Sequence, residues 1–335
     1  MKRRILSALC ALCMTAALAA PAWAETYSVT LTEGEALADV PVLLNIPAQT
    51  PAAAGETFNR IEIAAPVPGA AVELTVNGSA QDAILYFLED DGTFETAEEF
   101  IKGSATVCTM LPETSATLIL LEKMPFSDVS RTAWYHAGAA YAYHYGLMNG
   151  TSSTKFSPNG NTVRAMLVTI LWRTEGQPGG RSAFSDVAAG QYYTDAVAWA
   201  ADNGIVTGYA NGAFRPTGQM TREQLAAVLY RYAAYCGRDT SARADLSGFS
   251  DSGSVSAYAK DAMAWAVAEG LISGSGDRLH PGGTASRAQL AVILMRFFGD
   301  SFEPEEIVPE EPSGEGGETE QTGGEETEET PAAEA

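Results

Sequence analysis

The second half of this chain writes one pattern three times, and no other feature limits its fold as strongly. Phe126-Ser127-Asp128-Val129 returns as Phe184-Ser185-Asp186-Val187 and again as Phe249-Ser250-Asp251. Gly146-Leu147-Met148-Asn149-Gly150 returns as Gly204-Ile205-Val206-Thr207-Gly208 and Gly270-Leu271-Ile272-Ser273-Gly274. Phe156-Ser157-Pro158 becomes Phe214-Arg215-Pro216 and Leu279-His280-Pro281, and Val163-Arg164-Ala165-Met166 becomes Thr221-Arg222-Glu223-Gln224 and Ser286-Arg287-Ala288-Gln289. Copy two follows copy one at 58 residues throughout, and copy three follows copy two at 65 or 66. Repeats of this size are supersecondary units that bury their apolar faces by stacking on one another.

Each copy carries the same helical signals. In copy two a first helix is expected from about Tyr193 to Asn203, with Val197 and Ala200 at helical spacing and Gly204 closing it. A loop rich in Gly, Asn and Pro follows, and a second helix starts near Thr221. Its apolar positions are Leu225, Val228, Leu229 and Tyr232, matched by Leu290, Ile293, Leu294 and Phe297 in copy three and by Leu167, Ile170 and Leu171 in copy one. That is the i, i+3, i+4, i+7 stripe of an amphipathic helix. Thr221 and Ser286 suit N-caps, with Gln224 and Gln289 as capping-box partners; Val163 and Met166 of copy one suit neither role. Three such stripes meeting around a common axis predict an all-α module of pseudo-threefold symmetry.

From about Phe126 to Gly299, the Phe-x-Asp-Val start, the Gly-x-x-x-Gly turn, the Phe-x-Pro corner and the Thr-Arg-Glu-Gln helix start together resemble S-layer homology repeats. The resemblance implies a three-pronged α-helical spindle that holds a protein on a Gram-positive-type wall. It implies as partner an anionic, often pyruvylated, secondary cell-wall polysaccharide, with other surface-layer proteins as an alternative. It implies attachment rather than catalysis, with a wall-anchored hydrolase using carboxylates of the N-terminal domain as a further alternative, and no cofactor is expected. The family's Thr-Arg-Ala-Glu motif maps onto Thr221–Gln224 and Ser286–Gln289, and only in part onto Val163–Met166, so a weakened groove is expected in copy one.

The candidate binding residues follow from chemistry at the recurring positions. Arg164, Arg222 and Arg287 fall in the first turn of each second helix, where a guanidinium fork can meet a carboxylate and free helix-start N–H groups favour an anion. An arginine that recurs while its neighbours vary points to a ligand rather than to a local ion pair. Gly208 and Gly274 would let a sugar approach the backbone. Tyr141, Trp199 and Trp265 align on the first helices and suit either sugar platforms or core; Asp128, Asp186 and Asp251 suit either hydroxyl acceptors or loop fasteners.

The flanks differ sharply from the repeats. Lys2, Arg3 and Arg4, an apolar run from Ile5 to Ala20 and Ala22-Trp23-Ala24 form a secretory signal over residues 1–24, with cleavage expected after Ala24 and no membrane span beyond it. Residues 25–121 read as a small β-rich, sandwich-like domain, with alternation at Tyr27–Leu31 and Val72–Val76, apolar runs at Ile84–Leu88 and Leu118–Leu121, and hairpin signals at Asn77-Gly78 and Asp91-Gly92. Repeats are assigned to 122–182, 183–246 and 247–302, and 303–335 to a disordered tail with 13 Glu and no basic residue. Residues 25–121 hold 15 acidic and 2 basic side chains and no histidine, which removes triads, Cys–His dyads and His-ligated zinc from that segment. Residues 122–302 balance 14 acidic against 15 basic, so no segment has the basic excess of a nucleic-acid binder. His136, His144 and His280 occupy unrelated repeat positions and read as packing or surface residues, while Cys108 and Cys236 make no disulfide framework.

Overall fold

The computed structural model describes residues 27–30, 43–55, 59–64, 71–112 and 115–299. The signal segment and the Glu-rich tail lie outside the described residues. Among the described residues nine strands precede the repeats: β1 (Tyr27–Thr30), β2 (Leu43–Gln49), β3 (Asn59–Ala64), β4 (Ala71–Val76), β5 (Ala83–Leu88), β6 (Phe94–Thr96), β7 (Glu99–Lys102), β8 (Thr106–Met110) and β9 (Ser115–Glu122). They form one sheet in the order β1-β3-β9-β5-β6 and a second in the order β2-β4-β8-β7. The pairs β1/β3 and β2/β4 are parallel and the rest antiparallel. Ile61, Leu85, Leu118 and Leu120 from the first sheet and Val72, Leu74 and Val107 from the second bury together between them.

The opposite face of the first sheet is also covered. Ile84, Tyr86, Ile119 and Leu121 join the hydrophobic core of the repeats. Burial on both faces explains why β5 and β9 are continuous apolar runs, since alternation is needed only where one face meets water. It also decides the turns. Asp91-Gly92 closes the β5–β6 hairpin, with Gly92 at φ 72° and the Glu89 amide donating to the Thr93 carbonyl at 2.9 Å. Asn77-Gly78 closes no hairpin. The chain passes from β4 through a 3₁₀ turn at Ala80–Asp82 into β5, which belongs to the other sheet.

Six helices carry the repeats: α1 (His136–His144), α2 (Arg164–Thr174), α3 (Thr194–Asp202), α4 (Arg222–Tyr235), α5 (Lys260–Ala268) and α6 (Arg287–Phe298). The capping boxes form at Thr221/Gln224 and Ser286/Gln289, and Val163 gives α2 no side-chain cap. All the stripe residues named above are buried. The helices pack in a cycle: α2 against α3, α4 against α5, and α6 back against α1. Each second helix therefore covers the first helix of the next repeat, and the third repeat returns to the first. Gly138 permits the closing contact, because a Cβ there would lie 2.8 Å from the Val292 Cα.

The loop of each repeat is fastened by its leading aspartate. Asp128 accepts from the amides of Phe156 and Ser157, Asp186 from Phe214 and Arg215, and Asp251 from Leu279 and His280, at 2.7 to 2.9 Å. The second residue of each pair sits at positive φ, 56° for Ser157, 59° for Arg215 and 51° for His280, a conformation that a non-glycine residue holds only under constraint. Partial burial pushes these carboxylates up, but the paired amides outweigh it and hold all three below the usual carboxylate range. Asp186→Ala should lower the urea midpoint by freeing the Phe214–Arg215 corner, while Asp186→Asn, which keeps one acceptor, should fall between; unchanged midpoints for both would show that the corner holds without the clamp.

Candidate functional site

The repeated geometry of the loops brings each second-helix arginine to the following repeat. Arg164 Nε donates to the Phe214 carbonyl at 2.8 Å, Arg222 Nε to Leu279 at 2.7 Å, and Arg287 Nε to Phe156 at 2.8 Å. The main-chain amides of the same residues donate to Gly218, Gly283 and Gly160, and the next amides, of Ala165, Glu223 and Ala288, to Pro216, Pro281 and Pro158. The helix-start N–H groups are thus spent on loop carbonyls, which corrects the expectation that they are free for an anion. Arg164 and Arg287 also stack at 4.7 and 4.9 Å on the rings of Phe214 and Phe156.

The other expected site residues resolve into distinct places. Tyr141, Trp199 and Trp265 are at most 3% exposed and belong to the core, so they offer no face to a sugar. Gly208 and Gly274 hold positive φ beneath the repeat-start rings, where a Cβ would lie 2.4 Å from Phe184 Cε1 and 2.9 Å from Phe249 Cε1. Asp128, Asp186 and Asp251 are the loop clamps described above. The expectation about the caps is met, but the cap and the arginine of one helix face different junctions.

A cleft of about 450 Å³ lies at the junction of repeats one and two. Arg164 from α2, Gly208 and Tyr209 from the loop, and Gln224 and Arg231 from α4 line it, with Tyr258 of repeat three at its edge. Gln224 Nε2 donates to the Tyr209 hydroxyl at 3.2 Å. The Tyr209 ring carries the Arg215 guanidinium at 4.1 Å and that of Arg164 at 5.0 Å. Glu223 is occupied: it accepts from the Ser256 amide and hydroxyl and from the Tyr258 hydroxyl. Burial pulls the Arg164 guanidinium down from its ordinary value, yet it stays a cation. Among the described residues no side chain or carbonyl bonds its two Nη groups, so the fork remains available.

The junction of repeats three and one differs. Arg287 donates Nη2 to the Asn149 carbonyl at 2.6 Å and lies with Nη1 3.5 Å from Met166 Sδ. Met166 stands where Gln224 and Gln289 stand in the other copies, so the uncapped helix and the occupied arginine meet at one place. Two sets of recurring residues escaped the sequence reading. Trp134, Tyr192 and Tyr258 occupy one repeat position and are 67%, 61% and 53% exposed. Arg173, Arg231 and Arg296 recur at 58 and 65 residues on the second helices. The repeat offsets were the signal for both.

Comparison with known proteins agrees with the repeats. The S-layer homology domain family matches residues 125–165, 183–226 and 248–291. An endoglucanase of Bacillus sp. (strain KSM-635) is 32% identical over 171 residues, covering 51% of this chain and 18% of that protein. The surface-layer 125 kDa protein of Lysinibacillus sphaericus is 29% identical over 204 residues, 59% of this chain and 17% of the relative. The S-layer protein sap of Bacillus anthracis is 27% identical over 175 residues, 51% and 21% respectively. The chain spans about a fifth of the length of these relatives. Among the described residues no helix is long and apolar enough to cross a membrane, and no group of three His, Cys, Asp or Glu could hold a metal ion. Residues 125–165, 183–226 and 248–291 are three tandem S-layer homology domains, and the chain is a protein of the bacterial cell surface.

Proposed function

We propose that this protein attaches to the cell wall without catalysis, by binding an acidic, pyruvylated secondary wall polysaccharide in the clefts between its repeats. The carrying observation is the Arg164 fork, fixed through Nε and open at Nη, in a cleft shared with Arg231 and bordered by the exposed Tyr258 ring. A guanidinium held by its own neighbours loses little rotamer freedom when it takes up a carboxylate in two parallel hydrogen bonds. The tyrosine ring can cover the C–H face of a sugar beside the charge. By the threefold relation, Arg222, Gln289 and Trp134 are the counterparts at the junction of repeats two and three. Arg287 is committed to Asn149 and Met166, so two clefts rather than three take ligand.

The endoglucanase relative raises an enzymatic alternative, but only 18% of it is covered, and the β sheets here hold no histidine. Pull-down on walls before and after polysaccharide extraction tests the proposal. Retention on intact walls and its loss after extraction is expected; equal retention on extracted walls would replace it with assembly onto surface-layer proteins.

A further inference from the structure

Helix α1 carries a histidine at each end, about 12 Å apart along the axis, and both are buried against the first sheet. His136 is 5% exposed, with Nδ1 3.3 Å from the Tyr86 hydroxyl of β5 and the two rings stacked at 5.9 Å. His144 is 1% exposed beside the Glu122 backbone of β9, and its carbonyl accepts from the Gly55 amide at 2.8 Å. Between them, Phe94 of β6 packs on Tyr141 at 5.2 Å and on Tyr145 at 6.2 Å. These contacts join the β sheets to the repeats in one hydrophobic core.

The charged groups around this junction do not favour imidazolium. The charge acting on His136 is Arg131, a cation, which is itself paired with Glu99 of β7 and bonded to the Ala97 carbonyl. Glu95 of β6 is exposed on the outer side of its strand. Arg60 of β3 faces the neighbouring Tyr145 and adds positive charge. The charged residues of α6, which packs along α1, are Arg287 and Arg296, and they engage the Phe156, Asn149 and Gly270 carbonyls. No carboxylate is placed to receive a proton's charge on either ring among the described residues.

We propose that α1 is an acid-sensitive latch: neutral His136 and His144 hold the β sheets onto the repeats, and protonating them releases the sheets while the repeats stay folded. Burial lowers both groups from the ordinary histidine value to about 4, with Arg131 adding to the effect at His136 and the Glu122 carbonyl opposing it at His144. The sign follows from linkage. Between pH 6.5 and 4 the released form binds protons that the docked form cannot, so docking weakens as pH falls through that window and is fully present above it. Going from pH 8 to 5 multiplies the opening equilibrium about 30-fold for each histidine, and roughly 900-fold for the two.

Hydrogen exchange on the full chain at the two pH values, corrected for intrinsic rates, tests this. Protection of the Gly55 amide, whose acceptor across the junction is the His144 carbonyl, should drop by about two to three orders of magnitude at pH 5, while α2, α4 and α6 keep theirs. The double variant H136F/H144F should remove most of that pH dependence. Where that variant folds poorly, ring-proton NMR titration of the unaltered chain decides the question. Ordinary titration of both histidines near pH 6.5, or protection lost equally across all six helices, would overturn the latch.

Discussion

Arg164→Ala and Arg222→Ala should each weaken binding to extracted wall polysaccharide by about 2–5 kcal/mol at their own clefts, and Arg287→Ala should leave binding nearly unchanged. The three substitutions form an internally controlled set. Each removes one Nε bond to a corner carbonyl of the next repeat, at 2.7 to 2.8 Å, so a common loss of stability is expected in all three. Only Arg164 and Arg222 also give up a free Nη fork. Arg287 spends its fork on Asn149 and Met166, and its loss removes further structural bonds rather than a ligand contact. Calorimetry at a temperature where all variants are folded reads the difference. If Arg287→Ala binds as weakly as Arg164→Ala, the arginines act through the fold and the clefts are not the site. Met166→Gln supplies a control: it should free Arg287 Nη1 while Nη2 stays on the Asn149 carbonyl, so the binding stoichiometry should not rise.

The repeats and their caps were legible because they are local. Thr221, Gln224, Ser286 and Gln289 announce a capping box within four residues, and the structure closes both boxes. The arginine positions were legible too, but their partners were not. Arg164 reaches Phe214, 50 residues on, and Arg287 reaches Phe156, 131 residues back. A reading that pairs each arginine with the cap of its own helix ranks Arg164 lowest; the cyclic packing puts Arg164 beside the intact Gln224 cap and Arg287 beside Met166. The aspartates and aromatics carried two readings each, and spacing alone could not choose between them. Burial chose: the rings of Trp199 and Trp265 lie inside, and the exposed aromatic of each repeat is seven residues earlier, at Tyr192 and Tyr258. In the β segment the apolar runs at Ile84–Leu88 and Leu118–Leu121 marked strands, but the reading of a small sandwich left one face of each to water, and the structure covers both. What covers the second face is α1, and nothing in the sequence joins Tyr86 to His136 fifty residues away.

That shared face leads to the second large effect. Phe94→Ala should cost about 3–5 kcal/mol, and Trp199→Ala a similar amount, but with different consequences for cooperativity. Trp199 is 1% exposed and packs edge-on to Tyr235 at 5.7 Å and to Tyr232 at 6.5 Å, inside the ring of helices. Its loss leaves a cavity that the repeats cannot fill without breaking the α2–α3 and α4 contacts, so the whole chain should melt earlier in one transition. Phe94 stands at the junction itself, against Tyr86, Tyr141 and Tyr145. Emptying it removes the ring that bridges β5, β6 and α1 while both separate cores, Ile61 to Leu120 on one side and Leu167 to Phe297 on the other, remain whole. The unaltered protein should therefore unfold as one unit at neutral pH, with coincident transitions by far-UV dichroism and tryptophan fluorescence. Phe94→Ala should split it, because Trp134, Trp172, Trp199 and Trp265 all belong to the repeats, the remaining Trp23 falls in the segment expected to be cleaved, and the fluorescence transition would then report the repeats alone. A single coincident transition in Phe94→Ala would show that contacts other than Phe94 couple the β sheets to the repeats, and two transitions already present in the unaltered protein would show that the two parts fold without reference to each other.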